Sequence, residues 1–242
     1  MINRLILPSS IQALNSAYPK PSELWLPGYH VSGLLNGIPP STEATFTKKS
    51  FGPSGTMGIN VTATGRQYSR GFFNGKSTYA WFFVGYRDGQ GAFNQSVVRH
   101  DGVLTPMQEV SGGDMQAVFW PGGSLTTWLY GSPIARMQNR INTFSGLVGG
   151  GAAELRWNGI KSTTSSSASV APTLASNSTV TVLGCAEGGT QPATAWTIAL
   201  VAFWEDVVPN IQQLAYLHDN PASLFQPLPR RVFAVSAGAT TD

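Results

Sequence analysis

Trp120, Trp128 and Tyr130 flank the short segment Pro121–Ser124, and Arg136, Asn139 and Arg140 follow within ten residues of Tyr130. These residue types can recognise a sugar. Flat rings pack on the apolar face of a pyranose or furanose, while Arg and Asn supply donors and acceptors for hydroxyl groups. The grouping is the best glycan-binding candidate in the chain. The alternative is that the same rings are core or inter-subunit packing, the commoner fate of large aromatics.

Other chemistries fit less well. Glycoside hydrolysis needs two carboxyl groups across the scissile bond, ~5–5.5 Å apart for retention or ~6.5–9.5 Å for inversion. The 12 acids are scattered. Glu205 and Asp206 are adjacent, so on a strand they point to opposite faces and read as a polar strand end. His30, His100 and His218 are the only histidines. No Gly-x-Ser-x-Gly elbow accompanies them, and His218, near the end of an expected helix, reads as a surface or capping residue. Asp88, Asp101 and Asp114 lie near expected turns. Calcium wants six to eight oxygens, often with several carboxylates close together, and no acid-dense loop provides them. The expectation is no enzyme and no cofactor, with calcium the one metal left open.

Composition narrows the class. Of 242 residues only 11% are charged, against 42% hydrophobic and 11% aromatic, with 27 Gly and 16 Pro. Charge at less than half the usual ~25% points to a turn-rich β protein rather than a helical bundle or a disordered chain. The net charge is +3, and the basic residues fall in pairs such as Lys48-Lys49 and Arg230-Arg231 rather than in a run. That argues against a nucleic-acid partner. A single cysteine, Cys185, rules out an internal disulfide framework. The opening MINRLILPSS is interrupted by Pro8 and is not read as a signal peptide. The longest apolar run, residues 195–204, is short of the ~20 needed to cross a bilayer, so no membrane partner is expected.

The elements that would position these residues are mostly short strands. Residues 1–44 hold six prolines and read as an extended arm that docks on its own domain or on a partner, with one short strand available in 23–29. Strands are then expected over 44–51, 56–64, 68–74, 77–87, 94–102, 102–110, 115–123, 124–131, 153–163, 179–189 and 194–206. Residues 135–150 give no clear pattern. Asp101-Gly102 is a hairpin signal, and Asn158-Gly159 is a stronger one, because a type I′ turn needs positive φ at both central residues. A Ser/Thr/Ala-rich loop is expected over 162–178. One helix should begin at Asn210, capped reciprocally with Gln213, or else with Pro209 as its first residue. It should stop by Asn220, because the residue before Pro221 avoids helical angles. Leu224 and Phe225 then return the chain to the core.

Taken in order, these features resemble the concanavalin A-like lectin/glucanase superfamily in its laminin-G-like jelly-roll form. The carrying residues are Leu155-Arg156-Trp157-Asn158-Gly159, the strand Val180–Gly184, the apolar strand Trp196–Trp204, the helix 210–219 and the tail Asn220-Pro221, Leu224-Phe225, Pro227 and Arg230-Arg231. The tail is similar to the ends of laminin-G-like proteins of phages and prophages, which usually read Asn-Pro-Trp-Gln-Leu-Phe; here Ala222 and Ser223 replace Trp-Gln. The resemblance implies an all-β fold: a two-sheet antiparallel jelly-roll sandwich with one short C-terminal helix and an extended N-terminal arm. The expected division is an arm (1–44), a jelly-roll domain (45–227) and a tail (228–242). The Glu-x-Asp-x-x-Glu string of the superfamily's glucanases is absent.

The resemblance also implies a non-enzymatic virion protein, a capsid decoration or a tail or fibre component. It would be made in the host cytoplasm and located in the phage particle. Its partners would be other virion proteins and copies of itself, as a homo-oligomer, with a host surface glycan as the alternative ligand. In glycan-binding members the loops or face of a concave sheet do the binding.

Overall fold

The computed structural model describes residues 14–42, 46–51, 56–61, 66–68, 71–87, 95–100, 104–109, 115–119, 126–130, 140–149, 152–161, 181–186 and 196–225. They form two antiparallel sheets and, among the described residues, one α-helix. The first sheet contains β1 (Glu23–Trp25), β3 (Phe46–Phe51), β4 (Thr56–Val61), β6 (Tyr79–Arg87), β11 (Arg140–Gly149), β12 (Ala152–Trp157), β13 (Ile160–Lys161) and β15 (Trp196–Glu205). Its order is β13-β12-β11-β6-β15-β4-β3, with β1 also paired to β15. The second sheet runs β10-β9-β8-β7-β14-β5-β2. Its strands are β2 (Pro40–Thr42), β5 (Arg66–Tyr68), β7 (Gln95–His100), β8 (Leu104–Glu109), β9 (Met115–Phe119), β10 (Thr126–Tyr130) and β14 (Thr181–Ala186). The architecture is a jelly-roll sandwich.

β6 and β15 lie at the centre of the first sheet and are apolar at nearly every position because both of their faces are buried. One face carries aromatic rings. Trp25, Phe72, Phe73, Tyr79, Trp81, Phe83, Trp196 and Phe203 are all at most 2% exposed. Their rings meet edge-to-face or stacked, as in Trp25–Phe203 at 5.3 Å and Phe73–Tyr79 at 4.8 Å. The other face is largely aliphatic, with Ala80, Phe82, Val84, Leu200, Ala202 and Trp204 packed against Leu214, Leu217, Leu224 and Phe225. The helix α1 (Ile211–Asp219) therefore covers one face, leaving the other to the second sheet.

Gly146 of β11 shows how tightly the aromatic face is filled. A Cβ built there would overlap Cζ2 of Trp81, whose ring is 2% exposed and cannot swing aside. Gly146→Val is expected to cost at least the ~1–3 kcal/mol of ordinary overpacking, read as a lower urea midpoint. A midpoint equal to wild type would show that the sheet has slack at this position.

Residues 14–42 are part of the sandwich. Leu24 and Trp25 are 0% and 1% exposed, and β1 pairs in register with Trp25↔Val201 through Glu23↔Phe203. Trp204 Nε1 donates to the Pro19 carbonyl at 2.9 Å. Glu23, itself fully buried, accepts the backbone N–H of Leu24 and of Leu35 on Oε1, each at 2.9 Å. Asn36 Nδ2 donates to its other oxygen at 3.1 Å. The carboxylate is thus the anchor that folds the segment after β1 back along it.

Three local expectations need correction. Residues 68–74 are not one strand: β5 ends at Tyr68, and Phe73 adopts φ 68°, a left-handed conformation that a bulky residue takes only when its surroundings impose it. Here its N–H donates to Glu205 Oε1 at 2.7 Å, and its ring is buried among Tyr79, Trp81 and Phe203. Residues 140–149, which gave no clear pattern, form the ten-residue strand β11 beside β6. His218 is buried, as described below. The hairpin at Asn158-Gly159 has φ 46° and 81°, and Trp157 pairs with Ile160 across it, as a type I′ turn requires. The helix is capped by Asn210 and Gln213 reciprocally, which decides against Pro209 as its first residue. Pro221, buried, opens a 3₁₀ turn that ends at Leu224. Asp101-Gly102, the 162–178 loop, Pro227 and the 228–242 tail lie outside the described residues.

Candidate functional site

Strand register defines two ends of the sandwich. At one end the second sheet presents the row Ala186, Gln95, Glu109, Met115 and Tyr130. The first sheet presents Trp196, Arg87 and Arg140 side by side. Strands β4, β6, β10 and β14 end, and β5, β7, β11 and β15 begin, at this end. At the other end lies the row Pro40, Tyr68, Thr181, His100, Leu104, Phe119 and Thr126.

Of the six residues in the glycan candidate, the structure describes Trp128, Tyr130 and Arg140. Trp128 and Tyr130 sit two apart on β10, opposite Ala117 and Met115 of β9, so they occupy the same face of the sheet, ~7 Å apart along the strand. Tyr130 lies at the first of these ends, and so does Arg140, which begins β11. Trp120, Arg136 and Asn139 lie outside the described residues. Asp88, Asp101 and Asp114 do as well.

Sequence reasoning missed the arginine pair at this end. Arg87 and Arg140 are direct cross-strand partners; Arg87 is fully buried and Arg140 half-buried. Arg140, half-buried, is the member of the pair with surface from which a guanidinium can donate. The signal was an arginine closing the apolar run of β6 just as another opens β11.

A second cluster looks more like chemistry but is built for packing. His218 Nδ1 lies 2.7 Å from Thr143 Oγ1, and Nε2 lies 2.8 Å from Ser145 Oγ. Thr143 Oγ1 donates to Asn158 Oδ1 at 3.2 Å. That pattern assigns the proton to Nδ1, with Nε2 accepting from Ser145. A serine beside an imidazole suggests a nucleophile and its base. Here Ser145 is 2% and His218 1% exposed, so no substrate reaches them. Burial first, and the Arg156 charge second, lower the imidazole to about 3, too weak a base at neutral pH. His218 is a polar clasp between α1 and β11. The sequence reading gave it a surface or capping role because it weighed the helix end more than the spacing, which puts His218 on the same side as Leu214.

Glu23, Glu154, Glu205 and Asp206 also have structural employment. Glu23 and Glu205 accept backbone N–H groups, Glu154 pairs with Arg156 and Lys161, and Asp206 pairs with Lys76. Among the described residues, no group of three or more His, Cys, Asp or Glu side chains could hold a metal ion.

No protein-family model matches the chain, and no curated protein matches it. Solved structures do. The binding domain of paraclostridial mosquitocidal protein 1 is similar over 81% of this chain and 51% of its own, at 11% identity and a TM-score of 0.58. Domain 4 of AbnA, an extracellular arabinanase of Geobacillus stearothermophilus solved with arabinotriose, is similar over 86% of this chain and 100% of its own, at 13% identity and a TM-score of 0.54. Trypanosoma rangeli sialidase is similar over 92% of this chain, at 9% identity and a TM-score of 0.59. The fold is shared. The chain spans about half of the first protein and 36% of the sialidase, so what those whole proteins do does not come with the fold.

Proposed function

We propose that this chain is a non-enzymatic carbohydrate-binding module. The observation that carries the reading is the similarity, over most of this chain, to the whole of a domain solved with arabinotriose. Two features of this chain support it. Trp128 and Tyr130 share one face of a strand at the margin of a sheet, a spacing that suits stacking on successive sugar rings. Donor-rich Arg140 opens the neighbouring end of the other sheet. Binding rather than hydrolysis is supported by the structural partners of Glu23, Glu154, Glu205 and Asp206.

A glycan array bearing arabinan, sialylated and other surface glycans tests this. Wild-type protein is expected to retain one glycan class. Trp128→Ala is expected to weaken that retention about tenfold, ~1.4 kcal/mol, with an unchanged melting temperature. Retention of nothing by folded wild-type protein would overturn the proposal.

The setting proposed for this module is a phage particle, where it would meet other virion proteins and a host surface glycan. That part is supported by the sequence likeness of the tail from Asn220 to Phe225. Mass spectrometry of purified particles tests it, and particles lacking the chain would end it.

A further inference from the structure

Sheet edges offer unpaired backbone N–H and C=O groups to any other strand, and proteins blunt them with lysine, proline, brevity or a covering segment. Most edges of this sandwich are treated so. β3 carries Lys48 and Lys49. β13 is two residues long and ends in Lys161, which with Arg156 holds Glu154 in place on β12. β2 is three residues long and begins with Pro40, whose nitrogen has no proton to give. β1 is covered, since Leu34 N–H donates to the Leu24 carbonyl at 2.9 Å.

β10 is different. It ends the second sheet and, among the described strands, pairs with β9 alone. Its sequence, Thr-Thr-Trp-Leu-Tyr, has no charge, proline or glycine. Its register with β9 is unbroken over five residues, Thr126↔Phe119 to Tyr130↔Met115, whereas the β7–β8 and β8–β9 ladders are interrupted by irregularities. Bulges are one of the ways an edge is spoiled for pairing. The last strand is the regular one, made of β-branched and aromatic residues that suit a pleated ladder.

We propose that β10 is the contact through which a second copy of this chain binds, antiparallel edge to edge, merging two seven-stranded sheets into one. A second copy fits for a reason of charge. Two-fold pairing about Trp128 sets Thr126 opposite Tyr130 and Thr127 opposite Leu129. A charged residue on a self-pairing edge meets charges of its own sign, and this edge carries none. The pairing uses backbone groups in the plane of the sheet. It therefore leaves the Trp128–Tyr130 face available and sets two such rows side by side, which would raise avidity for a repeating ligand. The inference stands whether or not that face takes a sugar.

Sedimentation equilibrium of the full chain tests it with two double variants. Wild type is expected to dimerise. Thr127→Lys with Leu129→Lys sets lysine against lysine at both pairs flanking the axis, and the dimer should weaken at least tenfold. Thr127→Glu with Leu129→Lys changes the same two positions but sets opposite charges across the two-fold axis, and the dimer should return. Melting temperatures of the two variants show that the fold survives. A monomeric wild type at 100 μM (~2.6 mg/ml, a concentration at which a working dimer is populated), or equal dimer affinity in both double variants, would overturn the proposal.

Discussion

Phe225→Ala is expected to lower the free energy of unfolding by ~3–5 kcal/mol, the usual cost of truncating a buried phenylalanine. Phe225 is 5% exposed and Leu224 0%. The two do more than fill space, because the turn that carries them holds the start of the described chain. Leu14 bridges Phe225, and Asn15 N–H donates to the Leu224 carbonyl at 3.0 Å. Asn15 Nδ2 donates to the Ser223 carbonyl at 2.9 Å, and the Tyr18 and Ser223 hydroxyls lie 2.7 Å apart. Tyr18 then leads to Pro19, on which Trp204 Nε1 is satisfied. Losing the ring should loosen residues 14–19 together with the helix. Hydrogen exchange should show those segments opening below the global unfolding energy. Phe225→Leu keeps most of the volume and should cost less than ~1.5 kcal/mol. An alanine variant with wild-type stability would mean that the turn merely lies on the sheet.

The second large effect is on the acid side. His218 titrates at about 3 in the folded chain, against ~6.5 when unfolded. Between these values the unfolded chain holds a proton that the folded one refuses, so stability falls as pH falls. The contribution is complete above about pH 6.5 and declines toward pH 3, where both states are protonated. One such site gives a slope approaching ~1.4 kcal/mol per pH unit within that window. His218→Gln removes the titration, and it leaves Thr143 and Ser145 with imperfect partners, at ~1–3 kcal/mol. In urea titrations the variant should therefore be less stable than wild type at pH 7.5, and the gap should shrink or reverse by pH 4. A constant gap across that range would show that His218 is solvated.

The sandwich was legible because its apolar runs are unmistakable. Tyr79–Arg87 and Trp196–Glu205 are continuous apolar stretches, and only a strand buried on both faces reads that way. Asn158-Gly159 and Asn210 with Gln213 were legible because their backbone geometry admits few residue types. β11 was not, and the reason is physical. Its Thr143 and Ser145 face the helix, where His218 satisfies them, and its Gly146 makes room for Trp81. Both substitutions erase the alternation that marks a strand while being required by its neighbours. The docking of residues 14–42 and a short strand within 23–29 were legible, but the way the segment is held was not. Prolines gave the segment the look of an arm, while its anchoring depends on the buried carboxylate of Glu23 and on partners far away in sequence. The candidate site was half legible. Residue types singled out Trp128 and Tyr130, but only strand register places Tyr130 and Arg140 at the same end of their respective sheets.

Whether the sandwich reads sugars is tested most directly by titrating the full chain with arabinotriose and with sialyllactose while following tryptophan fluorescence. The account predicts a saturable change with one of these ligands, or with the class that an array selects, and about tenfold weaker binding in Trp128→Ala at unchanged stability. No saturable change with any of them, or equal affinity in wild type and Trp128→Ala, would contradict it.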